Sequence, residues 1–298
     1  MGVKSKPKVN IILINYNGDN DTVACVNSLR ELNYENFEIV VVDNASRTQE
    51  ELEKRLHNSV VYLKSAENLG FSGGNNIGIR YAIEHGADYV LLLNNDTVVE
   101  SNFVEKLVDA AGRHRDAGIL TGKIVYYSKP DYIWYAGGYM NLDRARIHHY
   151  HIKEKDFKDT TEKTVTFATG CLMMIPRSII EKYGGLDDTF FMYSEDAEFC
   201  SRIMENGYKI WYIPTAKIYH KVSASSGGAG SKLSQYYRTR NEMYLVARCA
   251  NHKIFGCCCC MLRLIKRIIV GQFEIKNVCY GLADLITGRM GKTNRNLR

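Results

Sequence analysis

The stretch Tyr89-Val-Leu-Leu-Leu-Asn-Asn-Asp96-Thr97 runs from apolar and aromatic residues straight into two carboxamides and a carboxylate. A short apolar run ending in turn formers reads as a buried strand. The residues just past such a strand lie at its carboxyl end, where open α/β sheets place their ligands. Asn94, Asn95 and Asp96 offer the oxygen atoms that hard cations take. The competing reading is that Asn94 to Thr97 cap a helix beginning near Glu100. A second acidic group stands in Gly184-Gly-Leu-Asp-Asp-Thr-Phe-Phe-Met-Tyr-Ser-Glu195-Asp196, where an aromatic run delivers two adjacent carboxylates to a helix start. A carboxylate beside a reacting hydroxyl can act as a general base. The plainer role for both acids is in the first turn of a helix behind Ser194 as N-cap.

The elements that must position these groups follow from the hydrophobic pattern. Val9 to Ile14 reads as a strand ending in the turn Asn15-Tyr16-Asn17-Gly18. Asp21 to Leu32 is a helix, Phe37 to Val42 a strand closing on Asp43-Asn44, Gln49 to Leu56 a helix, and Val60 to Leu63 a strand. Asn68-Leu-Gly70-Phe-Ser-Gly73-Gly74-Asn75 then leads into a helix expected from about Asn75 to His85. Alternating strands and helices of these lengths imply a parallel sheet with helices on both faces. Three strand ends, at Asn15 to Asn17, Asp43 and Asn94 to Asp96, carry polar groups on one edge. Asp43 lies where a dinucleotide fold keeps its ribose-binding acid, but the glycines follow the third strand and lack the GxGxxG spacing, so that fold is not the reading. Glycines before a helix amino terminus still let a backbone approach a phosphate closely.

The second half reads as strands over Gly118 to Tyr127, Tyr132 to Met140 and Thr164 to Ile175, the last broken at Gly170. Arg144 to Phe157 looks like a basic exposed loop containing His148, His149 and His151. A helix from Glu195 to Asn206 precedes strands that end at His220. Ser223 to Ser231 has the composition of a lid or of a simple loop. Helical segments come next, carrying Tyr236-Tyr-Arg-Thr-Arg240-Asn241.

The net charge of +6 is concentrated at one end: residues 253–298 sum to +7 and the first 252 to −1. A nucleic-acid-binding body is therefore not expected. Ile254 to Val270 is apolar but holds Arg263, Lys266 and Arg267, which makes a poor spanning helix and a good basic amphipathic one. A core helix docked on the domain is the alternative. No signal peptide is read at the amino terminus. The nine Cys are expected as free thiols, with the run Cys257 to Cys260 open to acylation.

In their order along the chain, VNIILINYNG, VVVDNAS, NLGFSGGNNIGI, LLLNNDT, GGLDDTFFMYSEDAEFCSRI and IPTAKIYH resemble the family 2 glycosyltransferases of the GT-A fold, rhamnosyltransferase-like branch. The resemblance covers about Val9 to Asn241. It implies an α/β GT-A, Rossmann-like open sheet over residues 1–250, divided into a nucleotide-binding half (1–115) and an acceptor half (116–250). Residues 251–298 then form a basic amphipathic helical tail. It also implies metal-dependent, inverting transfer of a sugar from a nucleotide diphosphate to an acceptor hydroxyl, on a saccharide or lipid-linked saccharide. Carried over by position, Asp43 would bind the base. Asn15, Tyr16, Asn17, Asn68, Gly73, Gly74, Asn75, Asn94 and Asn95 would line the nucleotide site. Asp96 and His220 would hold Mg²⁺ or Mn²⁺, Asp196 would be the base, and Glu195 would contact the acceptor. Asn94 stands where many members carry Asp, and Asn75 where many carry Arg. Such a protein is expected in the cytoplasm, peripheral on the inner face of the membrane. A sugar-nucleotide-binding or membrane-scaffold protein of little activity is the alternative from another class. A sugar-1-phosphate nucleotidyltransferase is disfavoured, because its glycine loop would follow the first strand.

Overall fold

The computed structural model describes residues 6–56, 59–222 and 230–297. Its first half alternates as the hydrophobic pattern predicts. In chain order come β1 (Val9–Asn15), α1 (Asp19–Arg30), β2 (Phe37–Asp43), α2 (Gln49–Leu56), β3 (Val61–Lys64), α3 (Gly70–Glu84) and β4 (Tyr89–Leu93). A short β5 (Thr97–Val99) and α4 (Phe103–Arg113) lead into β6 (Ala117–Tyr126), β7 (Lys129–Tyr135), β8 (Gly138–Asn141) and β9 (Arg146–His149). Next are β10 (Lys163–Val165), β11 (Leu172–Pro176), α5 (Arg177–Tyr183), α6 (Glu195–Glu205) and β12 (Lys209–His220). Three helices close the chain: α7 (Lys232–Cys249), α8 (Lys253–Ile269) and α9 (Ile275–Ile286).

The sheet is mixed rather than wholly parallel. Strands β3, β2, β1 and β4 lie parallel in that order, and β11 then inserts antiparallel between β4 and β6. β12 runs parallel to β6, and β10 closes that edge. Successive residues of β1 from Val9 to Leu13 are all buried, so both faces of the sheet are covered there. One register matters more than the rest. β5 pairs antiparallel with the end of β12, with Thr97 opposite His220, which sets the carboxyl ends of β4 and β12 side by side.

Helix α3 begins at Gly70, five residues earlier than the pattern indicated, so Gly73 and Gly74 lie within a helix and not in a turn before it. Their small size serves packing. A Cβ on Gly74 would come within 3.1 Å of Ile14, and one on Gly78 within 2.5 Å of Ile12, so the helix lies directly on β1. Asn94 to Thr97 cap nothing: β5 separates them from α4, whose N-cap is Asn102. Ser194 is the N-cap residue of α6 but makes no side-chain capping bond. The basic stretch read as an exposed loop is in part a hairpin of β8 and β9. The residues 223–229 of the lid reading lie outside the described residues.

The carboxyl-terminal helices are joined to the body through α7. Gln235 Oε1 accepts the N–H of Glu274 at 2.8 Å and the Asn277 amide at 3.0 Å, at the start of α9. Met243 packs with Cys260, Leu264, Phe273 and Val278. Helix α8 is buried on one side only. Gly256, Cys260 and Leu264 face inward, while Ile254, Leu262 and Ile269 are 84%, 66% and 78% exposed.

The close seat of α3 is testable. Gly78→Ala adds the methyl that meets Ile12, an overpacking cost of about 1–3 kcal/mol against a helix-propensity gain of about 1 kcal/mol. The urea midpoint is expected to fall with an unchanged slope; a midpoint at or above the parent's would show that α3 has room to shift.

Candidate active site

A cavity of about 530 Å³ opens at the carboxyl ends of β1 and β4. Its walls include Tyr16, Asn68, Asn75, Asn94, Asn95, Asp96, Glu195, Asp196 and His220, so most of the groups singled out by residue type converge on one space. Asn95 Nδ2 donates to Thr22 Oγ1 at 2.8 Å, and Asn94 O accepts from Thr97 Oγ1 at 2.8 Å, which fixes the turn after β4. The Asp96 carboxylate, 7% exposed, meets His220 Nε2 at 3.1 Å. His220 Nδ1 is buried without a partner, and the ring stands edge-on to Trp134 with centroids 4.5 Å apart.

Five expected residues are not on the cavity wall. Asn15 and Asp43 are wholly buried beneath it. Asp43 Oδ1 accepts from Ser46 N and Gln49 Nε2, and its Oδ2 from Asn15 Nδ2 and Tyr62 OH. With both oxygens engaged, Asp43 would meet a base only if one of those donors yielded. Asn17, with φ 55°, braces the loop after β1 by accepting from Arg47 N. Gly73 and Gly74 are packed inside α3. In their place the wall has Asn44, whose Oδ1 accepts from Leu69 N and whose Nδ2 donates to Gly70 O, so it ties the start of α3 to the end of β2. Asn44 comes directly after Asp43, and strand alternation was the signal that only one of the two would face the ligand.

The two acids are held differently. Asp196 Oδ2 accepts the N–H of Gly170 at 3.1 Å and its Oδ1 that of Ala197 at 2.8 Å. Burial raises its pKa, and those backbone bonds oppose the rise. Glu195 is 6% exposed and its Oε2 has no partner. Burial, then the charge of Asp196, lifts Glu195 well above the ordinary carboxylate value. Backbone N–H groups favour the ionised form of both acids, but Asp196 has those of Gly170 and Ala197 besides its own, whereas Glu195 has only its own.

The backbone leading to these acids is unusual. Phe191, Tyr193 and Ser194 all have positive φ, at 64°, 66° and 76°, a region costly for non-glycine residues. Asn241, on α7, spans this turn: its Nδ2 lies 2.8 Å from the carbonyls of Phe190 and Met192 and 3.0 Å from that of Tyr193. Arg240, fully buried, orients Asn241 through Nε and also donates to Phe190 O. Its remaining donors meet Tyr236 OH and the carbonyls of Arg289 and Gly291, beyond α9. From the other side, Phe71 N donates to Phe191 O at 2.6 Å, and a Cβ on Gly70 would collide with that oxygen. Arg240 and Asn241 carry no spacing signal in the sequence, where they read as one polar face of a helix.

His149 also differs from expectation. It is half-buried, bonds Trp134 O through Nδ1, and lies edge-on to the Trp134 ring. Desolvation chiefly, with the charges of His220 and His148, lowers its pKa to about 4. His148, His149 and His151 all stay outside the cavity. Among the described residues no cluster of three or more His, Cys, Asp or Glu could hold a metal by itself. The chain supplies two ligand types at one point, Asp96 and His220. That fits a hard cation completed by phosphate oxygens and water, with the unpartnered imidazole nitrogen beside it.

Residues 10–184 match the profile described as Glycosyl transferase family 2. The chain belongs to glycosyl transferase family 2. Across 262 residues it is 26% identical to a dTDP-rhamnosyl transferase, RfbF, of Shigella flexneri, covering 81% of this chain and 80% of that one. A low-salt glycan biosynthesis hexosyltransferase of Haloferax volcanii is 26% identical over 78% of this chain and 74% of its own. In three dimensions the chain resembles a mannosyltransferase of Pyrobaculum calidifontis, solved with GDP-Man and Mn²⁺. The TM-score is 0.57 at 14% identity, over 95% of this chain and 75% of that one. The fold is thus that of the GT-A glycosyltransferases, and the family 2 chain is a glycosyltransferase with rhamnosyl- and hexosyltransferase relatives.

Two variants probe this family 2 site. Asn241→Leu removes the donors to three carbonyls, which costs at least about 1–3 kcal/mol of stability. Turnover is expected to fall further than the thermal midpoint alone explains, measured well below that midpoint. Full turnover in a folded variant would show that the turn holds its shape unaided. Glu195 and Asp196 have raised pKa values when folded. Their contribution to stability is therefore present below the ordinary carboxylate range and lost as pH rises toward the raised values. Glu195→Gln should melt higher than the parent at about pH 7.5, with the difference vanishing near about pH 4.

Proposed function

We propose that this glycosyltransferase moves a sugar from a nucleotide diphosphate to a saccharide hydroxyl by single displacement with inversion, assisted by Mg²⁺ or Mn²⁺. The observation that carries the reading is the arrangement around one cavity. The Asp96–His220 pair lies at the ends of β4 and β12, and the Glu195–Asp196 pair at the start of α6. Asp96 and His220 would hold the cation. Bound there, a divalent ion offsets the negative charge that grows on a departing diphosphate. Asn68, Asn75, Asn94 and Asn95 supply neutral donors and acceptors for the nucleotide, with Tyr16 at the rim.

Asp196 takes the proton of the incoming hydroxyl. The Gly170 and Ala197 N–H groups favour its ionised form, while burial makes it more basic. Glu195, its carboxyl pushed well above the ordinary value by burial and by the charge of Asp196, contacts the acceptor. A single base suits inversion, since a retaining glycosidase-like course needs a second carboxylate placed as nucleophile. The acceptor is read as a saccharide or lipid-linked saccharide reached from a membrane surface. α8 turns Ile254, Phe255, Cys258, Leu262, Ile265 and Ile269 to solvent at helical spacing, and α9 does so with Ile275, Cys279, Ala283 and Ile286. Exposed Lys253, Lys266 and Lys276 accompany these stripes, as on helices that lie in an anionic interface. No helix among the described residues is long and apolar enough to cross a membrane.

The deciding experiment measures nucleoside diphosphate release from a panel of nucleotide sugars with Mn²⁺. Release with one donor is expected; none with any would favour a sugar-nucleotide-binding protein without turnover. Asp196→Asn should lower turnover by roughly 10²–10⁴-fold with donor affinity kept. Asp96→Ala should abolish the Mn²⁺ dependence of nucleotide binding in calorimetry. The roles would be exchanged if Glu195→Gln, and not Asp196→Asn, removed turnover.

A further inference from the structure

A second cavity, also of about 530 Å³, lies on the far side of α7. Tyr236 and Asp284 form its inner wall, and Arg289, Lys292, Thr293 and Arg295 of the segment after α9 its outer one. Its charges do not balance. Asp284 is buried, and Arg295 already grips it with Nε at 2.7 Å and Nη2 at 2.6 Å, while Tyr236 OH donates at 2.8 Å. That carboxylate is spoken for. Arg289 and Lys292 line the same cavity with exposed side chains that make no hydrogen bond or ion pair with a described residue.

These two cations are presented from a fixed backbone. Gly288 and Gly291 take left-handed φ of 69° and 72°, bending the chain on each side of Arg289. The carbonyls of Arg289 and Gly291 accept from buried Arg240, and Gly291 N donates to Thr189 O at 2.9 Å. Thr293 N donates to Tyr237 OH at 2.8 Å, and the Tyr237 ring stacks on Phe191 of the donor cavity. Tyr237 thus links the segment after α9 to a wall residue of the first cavity. Two cations with no ion-pair partner among the described residues match a phosphate, whose oxygens take several charged donors at once. The apolar stripes of α8 and α9 belong to the same carboxyl-terminal unit, which indicates where that phosphate is met.

We propose that this cavity binds a phosphate group carried at a lipid surface. The site rests on the glycosyltransferase reading only for its purpose: the phosphate is either an anionic lipid headgroup or the phosphate link of a lipid-borne acceptor.

The test uses the full chain and flotation with three vesicle types of equal size. These are phosphatidylcholine alone, phosphatidylcholine with phosphatidylglycerol, and phosphatidylcholine with a polyprenyl phosphate at matched charge. Arg289→Gln/Lys292→Gln leaves intact the backbone carbonyls that Arg240 uses, and Lys253→Gln/Lys276→Gln removes the same charge elsewhere on the tail. Each cation near an anionic surface contributes about fivefold, so the control pair should weaken binding to the two anionic vesicle types by up to roughly 25-fold through charge alone, and the cavity pair should lose clearly more because direct phosphate contacts go as well. Nucleoside diphosphate release without vesicles should be unchanged in the cavity pair, and it reports on the transferase reading separately. Preference for polyprenyl phosphate over phosphatidylglycerol assigns the site to the acceptor, and equal binding assigns it to the headgroup. Equal losses in the two double variants, or no loss in the cavity pair at an unaltered melting point, would overturn the site.

Discussion

One carboxamide holds the turn before α6 in a shape that its backbone would otherwise abandon. Three non-glycine residues there have left-handed φ, each at a cost on the order of 1–3 kcal/mol. Asn241 answers with donors aimed at three carbonyls, and Arg240 adds a fourth contact while keeping the Asn241 amide the right way round. Each such bond returns roughly 0.5–1.5 kcal/mol when buried, so the turn persists only while the whole set is made. What this strain achieves is direction. It starts α6 with Glu195 and Asp196 facing the cavity and gives Phe191 O to the amino end of α3.

The opposite wall depends on a register and not on strain. Thr97 pairs with His220 because β5 folds back onto β12, and the residue before Thr97 is Asp96. A shift of one residue in that short ladder would turn His220 to the other face. A strand of three residues is a slender base for this, and the pairing is reinforced next to it by Lys221 N donating to Asp96 O at 2.9 Å. The two walls also differ in electrostatics. Asp96 has an imidazole beside it, whereas Glu195 and Asp196 are two buried acids side by side, an arrangement that favours proton uptake and weakens the fold at neutral pH.

Sequence patterns reveal what periodicity controls. The buried runs that became β1, β2 and β4 were plain, and so were the polar groups that must emerge at their ends. Asp96, His220, Glu195 and Asp196 were thus identifiable as residue types before any geometry was known, with the family resemblance giving them roles. Packing is less legible. Gly73 and Gly74 looked like a ligand loop because glycine permits close approach of any partner, and here the partner is Leu69 or Ile14. Asp43 looked exposed because it ends a strand, but Ser46, Gln49 and Tyr62 fold over it. Arg240 and Asn241 were invisible for the reverse reason: polar residues on a helix usually face water, and nothing local shows that carbonyls from distant segments will meet them.

The dependence of Arg240 on the carbonyls of Arg289 and Gly291 also sets an order of events during synthesis. Chains leave the ribosome amino end first, and domains tend to fold as they emerge. Strands β1 to β4, with the asparagines and Asp96 at their ends, emerge early. The turn that aims the acids is secured only once the residues after α9 have emerged and come to rest against α7. The wall built from β1 and β4 is therefore made first, and the orientation of the two acids is secured last.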